Sequence, residues 1–321
     1  MTGEAGGVSR REALWRLAST ALAAGTMGLG AAYFHNRRVT SGKLVTIPDW
    51  RRAALGTLPP AVAARGGDPA ANLRRALAAL GGIESFVGRG ETVVIKPNVG
   101  WDRLPEQAAN TDPVLVAELV RLCLGAGARR VVVTDNSCND PRRCFARSGI
   151  RDAAASAGAE VVDGGRAGYR PATLSGYSTG LEVLQDVLEA DRVINVPVVK
   201  HHSLTKATLG MKNWFGVLGN GRSRLHQNAN RAIAELAALF RPTLTVVDAT
   251  RVLLAGGPQG GSLSDVRAVN AVAAGIDPVA CDAWGAAQMG LDPRGLGFIQ
   301  EAEQVGLGRG ELSLVRELGV A

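Results

Sequence analysis

An α/β fold, a largely parallel sheet with helices on both faces, is predicted by three features of this 321-residue chain. Short, nearly continuous apolar runs alternate with stretches of helical spacing, the pattern of strands covered on both faces. Polar residues follow the apolar runs directly. Glycine is abundant at 41 copies, which suits many tight strand–helix turns. In such sheets ligands bind beyond the carboxyl ends of the strands, so those polar residues are where a site is expected.

The chain divides into a leader (1–40), a connector with a first helix (41–88) and the α/β domain (89–321). The leader carries five arginines against Glu4 and Glu12 and supplies +3 of the net +7. Its Ser9-Arg10-Arg11-Glu12-Ala13-Leu14, followed by an Ala- and Gly-rich apolar run, resembles a twin-arginine export signal. That resemblance implies the translocase as a partner and the periplasm, or the outer face of the cytoplasmic membrane, as destination. The segment is read either as cleaved or as a loose membrane attachment. Pro48, Pro59 and Pro60 mark the connector, and 72–80 has helical spacing.

Within the domain, 91–99 (ETVVIKPNV) reads as a buried strand ending in a polar turn, and 113–124 as a helix capped by Asp112 with Pro113 at its first position. Then follow a strand at 130–135, a helix at 150–157 and a short strand at 160–163. Further on come a strand-and-helix region at 176–190, a strand at 191–199 and a helix at 228–240. Strands at 244–249 and 269–274 and a helix at 278–289 complete the series.

The strand ends carry the chemistry. Lys96 and Asn98 follow VVI, Asp135 follows VVVT, Lys200, His201 and His202 follow VINVPVV, and Asp248 ends LTVV. Three of the four histidines, His201, His202 and His226, fall between 198 and 226 with Lys200, Lys206 and Lys212. Imidazole suits both proton transfer near neutral pH and ligation of a borderline metal. A lysine in apolar, Gly-rich surroundings, as Lys212 is beside Asn213, needs an anionic partner or loses its proton. These residues point to a small anionic ligand. Gly219, Gly221 and Arg222 form an anion-friendly turn, and GGPQGG (256–261) a second one. Asp277 is expected to cap the last of these helices, while Asp282 inside it reads either as a salt-bridge partner of that helix or as a site residue.

Several classes are excluded. No stripe of Lys and Arg with interleaved aromatics exists, so nucleic acid is not an expected partner. The four cysteines form no C-x-x-C pair, so no iron–sulfur cluster is expected. Cys138 and Cys144, in NSCNDPRRC, read either as a disulfide or as free thiols near a site. The phosphate-loop lysine and the G-x-S-x-G elbow are absent.

The series IKPNVGW, NTDPVLVAELVRLCLGAGARRVVVTDNS, INVPVVKHHSLTKATLGMKNWFGVLG, VVDATRVLLAGGPQGG and AGIDPVACDAWGAAQMGLDP resembles the DUF362 family over about residues 90–310. The family implies a fold and a motif map but no reaction. More distantly, His202, Lys212 and His226, at gaps of 10 and 14, resemble the order of site residues in the amino-terminal lobe of nickel-pincer lactate racemases. That likeness implies Lys212 as cofactor anchor, His226 as metal ligand, and His202 as acid/base or second ligand. The turn TDNSC holds no histidine where those enzymes have one, and His201 is the candidate to stand in.

The catalytic candidates are therefore His201, His202 and Lys212. Lys96, Asn98, Lys200, Lys206, Asn213 and Asp248 are the candidates for holding a cofactor or ligand, and His202 and His226 for a divalent metal. The leading expectation is an exported enzyme acting on a small carboxylate, with a metal or pincer-type cofactor and racemase- or epimerase-like chemistry. The others are a non-catalytic anion- or metal-binding protein of the cell envelope and a redox partner without its own cluster.

Overall fold

The structure is a computed structural model that describes residues 44–52, 58–173, 181–219 and 222–319. The leader lies outside the described residues, as do Gly221 and part of the 176–190 region.

Twelve strands are described: β1 (Ala61–Arg65), β2 (Thr92–Pro97), β3 (Arg130–Asp135), β4 (Glu160–Asp163), β5 (Tyr169–Ala172), β6 (Leu181–Leu184), β7 (Arg192–Val196), β8 (Val198–His202), β9 (Lys206–Thr208), β10 (Leu244–Leu253), β11 (Val266–Gly275) and β12 (Val315–Leu318). The main sheet runs β12-β1-β11-β10-β7-β2-β3-β4, with β8 and β9 branching from β10; β5 and β6 form a separate hairpin. From β10 through β7, β2 and β3 to β4 the neighbours are parallel, while β11 is antiparallel to both β10 and β1. The fold is thus α/β with a mostly parallel sheet.

The apolar runs act as expected of strands buried on both sides. Val94, Val132, Val193 and Val247 point into one core, with Ile233 and Leu236 of the 229–239 helix and Trp284 of the 278–288 helix. Val93, Ile95, Val131, Val133 and Ile194 point into the other, with Leu73 of the 69–79 helix and Leu119 of the 113–125 helix. The alternation follows from the period of two along a strand. Four of the described α-helices start with Asp-Pro: Asp68, Asp112, Asp140 and Asp277 each accept a backbone N–H from the first turn, and proline follows where no donor is needed. Asp277 is therefore a cap, as expected.

Three readings change. The connector contributes β1, which is buried in the sheet between β11 and β12. Its AVAA run is short and follows two prolines, so no periodicity marked it. The run 191–199 is not one strand, because Pro197 interrupts it and the chain continues as β8. The stretch NSCNDPRRC runs into a helix at Pro141–Arg147 that buries Cys144, and of its two readings the disulfide falls away, since Cys138 and Cys144 are both free thiols.

Candidate functional site

The site is built where β2, β3 and β8 end. β8 and β9 form an antiparallel hairpin in which Lys200 faces Thr208. Alternation along β8 puts Lys200 and His202 on one face and His201 on the other. After β9 the chain enters a short helix, Gly210–Asn213, and continues as a 3₁₀ turn, Trp214–Val217. Buried Asp282 holds the start of this segment, accepting from Gly210 N at 2.6 Å and Met211 N at 3.0 Å. Its burial raises the carboxyl to about 7. Trp214 anchors the other end by stacking on Phe240 at 5.2 Å. Gly216 then passes so close to β3 that a Cβ there would sit 2.0 Å from Asp135 Oδ1.

These elements enclose a cavity of about 230 Å³, lined by Lys200, His202, Thr208, Lys212, His226 and Cys138, with Trp101, Phe215 and Pro258 as its apolar walls. Asn98, Asp135, Asn136, Asn213 and Arg222 complete much of the polar lining. Its charge is unbalanced. Asp135 is the one carboxylate lining it among the described residues. Both of its oxygens are engaged, by Lys96 Nζ at 2.7 Å and Val99 N at 2.6 Å.

The lysines separate into two kinds. Lys96 is fully buried beneath the cavity and spends its three N–H donors on Asp135 Oδ1, Pro97 O at 2.8 Å and Asn213 Oδ1 at 3.0 Å. It has none left for a ligand. Lys200 spends two, on Asn98 Oδ1 at 2.9 Å and Ala109 O at 2.5 Å, and keeps one. Lys212 has no hydrogen-bond partner among the described residues, although only 6% of it is exposed; its Nζ lies 4.5 Å from the centre of the Phe215 ring. Burial without a paired carboxylate lowers Lys200 to about 7 and Lys212 to about 8. The buried hydroxyl of Thr208 also has no partner among the described residues.

His202 Nδ1 accepts from Leu204 N at 3.1 Å and Thr205 N at 3.4 Å. Its ring proton is therefore assigned to Nε2, which makes it a donor. Burial, then the nearby Lys212 and Lys200, lower its pKa to about 3, so the ring is neutral at ordinary pH. His226 packs edge-on against Phe215 at 5.2 Å, and burial and Lys212 lower its pKa also.

The structure thus brings together Asn98, Lys200, His202, Lys212, Asn213 and His226. It does not bring in four other candidates. His201 faces away and accepts from Gly257 N at 3.1 Å, holding the GGPQGG loop. Lys206, at φ 64°, is exposed and donates to Gly295 O at 3.3 Å. Asp248 is internal, accepting from Asp112 N at 2.7 Å and Thr250 N at 2.9 Å; burial and the neighbouring Asp112 raise it to about 6. Lys96 is the fourth, a counter-ion to Asp135.

Among the described residues no three His, Cys, Asp or Glu side chains are placed to hold one metal ion. A metal at His202 would need the lone pair of Nε2, forcing a proton onto Nδ1 against two N–H donors. The donor set therefore does not fit a resident metal held by His202 and His226.

Arg222, expected in an anion-friendly turn, instead donates to Asn136 O at 2.7 Å and Ser137 O at 3.0 Å, fixing the loop after β3. Two cavity residues, Thr208 and Phe215, were not among the candidates. Thr208 was hidden because nothing in the sequence shows β8 turning back as β9. Phe215 had one signal, its position in a rare aromatic pair beside Lys212.

The family described as "Domain of unknown function (DUF362)" matches residues 93–287. The "Thylakoid-associated protein sll1697" of Synechocystis sp. (strain ATCC 27184 / PCC 6803 / Kazusa) is 30% identical over 245 residues, covering 74% of this chain and 75% of the relative. Among solved structures, the lactate racemase apoprotein of Thermoanaerobacterium thermosaccharolyticum is similar at a TM-score of 0.44 and 14% identity, over 76% of this chain and 58% of that one. A Thermotoga maritima protein is similar at 0.35 and 10%, over 75% and 60%. The chain thus spans about three-fifths of either solved structure, and at that similarity neither bears on a site residue.

Proposed function

The chain belongs to DUF362, a family of domains of unknown function, and from that premise we propose that it is an enzyme acting on a small carboxylate-bearing compound. One observation carries this reading: Lys200 and Lys212 face a single cavity in which the one lining carboxylate, Asp135, is already engaged. A buried ammonium without a counter-charge is costly, and an anionic ligand removes that cost. Lys212 offers three N–H donors and Lys200 one, and Thr208 adds a free hydroxyl. His202 presents Nε2–H to a second substrate oxygen as a neutral donor.

Catalysis, rather than binding alone, is supported by Lys200. Its value of about 7 makes both ammonium and amine accessible at neutral pH, which suits it to move a proton at the carbon beside the carboxylate. That is the chemistry of racemisation or epimerisation. The donor set does not fit a metal ion held by His202 and His226.

Calorimetry with a panel of small carboxylates, in buffers of different ionisation heat, tests the binding. An anion raises the pKa of both lysines from about 7 and about 8. At pH 8 binding should therefore take up roughly 1.4 protons, at pH 6 almost none, and affinity should fall as pH rises past about 7. Binding without linked proton uptake at pH 8 would count against the lysines as its seat. Incubation in D₂O then separates the classes. Deuterium entering a carboxylate beside its acid carbon supports the enzyme; tight binding with no exchange or turnover supports the binding-protein alternative.

We propose also that the chain leaves the cytoplasm by the twin-arginine route and associates loosely with a membrane. The support is the SRREAL motif of the leader, and the Synechocystis relative is named as thylakoid-associated. Among the described residues no helix is long and apolar enough to cross a membrane. Changing Arg10 and Arg11 together to lysine should retain the protein in the cytoplasmic fraction; unchanged fractionation would remove the twin-arginine assignment.

A further inference from the structure

Four cysteines are present, and only Cys138 is exposed; Cys123, Cys144 and Cys281 are buried. Cys138 also lines the cavity that holds Lys200 and Lys212. Its loop is pinned rather than loose. Cys138 N donates to Gly100 O at 2.9 Å, Ser137 Oγ donates to Val99 O at 2.5 Å, and Arg222 holds Ser137 O. A second, independent feature points to a ligand in the same space: Lys212 is buried, faces the cavity and has no hydrogen-bond partner among the described residues.

We propose that Cys138 is a covalent capture site for carboxylates that carry a leaving group on the carbon next to the acid. The proposal rests on the carboxylate reading of this cavity. The lysines hold the carboxylate, which places its neighbouring carbon within the cavity that the sulfur lines. The Cys138 thiol gives its proton to water. The thiolate forms an S–C bond to that carbon, and the carbon–halogen bond breaks with the halide leaving on its electron pair. The buried thiols have no such access. Such prior binding converts a bimolecular encounter into a reaction within a complex.

The probes are iodoacetate and its neutral analogue iodoacetamide, used on the full chain, with the alkylated residue located by peptide mass mapping. An isolated thiol reacts with the amide at least as fast as with the acid. Here Cys138 should react at least about tenfold faster with iodoacetate, at a rate that saturates with reagent concentration as a bound complex requires. Lys212→Met should abolish that preference, and unreactive acetate should slow capture competitively in the unaltered protein. If iodoacetate shows no preference while calorimetry still detects carboxylates bound through Lys212, the capture site is overturned and the carboxylate reading stands. If neither preference nor carboxylate binding is found, both fall.

Discussion

Lys212→Met is expected to stabilise the protein while weakening its affinity for carboxylates. The native pKa of about 8, against 10.5 for a free lysine, corresponds to about 3 kcal/mol that the fold loses by burying this ammonium. No hydrogen bond to a described residue is lost on substitution. The buried cation–π contact with Phe215 gives back about 2 kcal/mol. The net gain of about 1 kcal/mol should appear as a rise of roughly 2–4 °C in Tm. The sign with pH is fixed by linkage. Between about 8 and 10.5 the unfolded lysine holds a proton that the folded one has released, so wild-type stability climbs with pH across that window. The advantage of the variant is therefore full below pH 8 and gone near 10.5. Loss of one charge-assisted contact should weaken carboxylate binding by about 10- to 100-fold. Thermal melts at pH 7 and pH 10 with a binding titration check all three; a destabilised variant at pH 7 would mean that Lys212 has a structural partner. Stability given up at a binding group is the usual trade between fold and function.

The same substitution at Lys96 should have the opposite sign. Lys96→Met leaves the Asp135 carboxylate buried without its cation, and strips donors from Pro97 O and Asn213 Oδ1. Removing one partner of a buried ion pair costs about 3–5 kcal/mol, a large share of the stability of an ordinary domain. Urea unfolding should show the midpoint falling with little change in slope. Adding Asp135→Asn should restore part of the loss, because the orphaned charge is removed, and the double-mutant cycle gives the coupling. A Lys96→Met protein as stable as wild type would contradict its role as a counter-ion.

The two lysines show how far the sequence could be read. Both follow apolar segments, both sit near an asparagine, and both were candidates for holding a ligand. Nothing in IKPN or GMKN tells a saturated ammonium from a free one. That distinction depends on Asp135, 39 residues from Lys96, and on Gly216, whose lack of a side chain lets the 214–217 turn close over the pair. His201 and His202 divide differently, since alternation along a strand already separates them. Which one faces the site needed the position of β9, because the hairpin sets the face that Lys200 and His202 share with Thr208.

By itself the sequence determined the α/β class, the order of the buried strands and the Asp-Pro start of the 113–125 helix. It also determined that ionisable residues gather at strand ends. These are local properties: apolar runs, glycine turns and caps act over a few residues, where physical chemistry allows few outcomes. Tertiary structure alone decided that β1 enters the sheet and that Asp248 and Lys96 are internal partners. It alone decided that Lys200, Lys212, His202, His226 and Cys138 share one cavity. Burial and pairing are set by groups distant in the chain, and the free energy of a charge depends on what surrounds it in space.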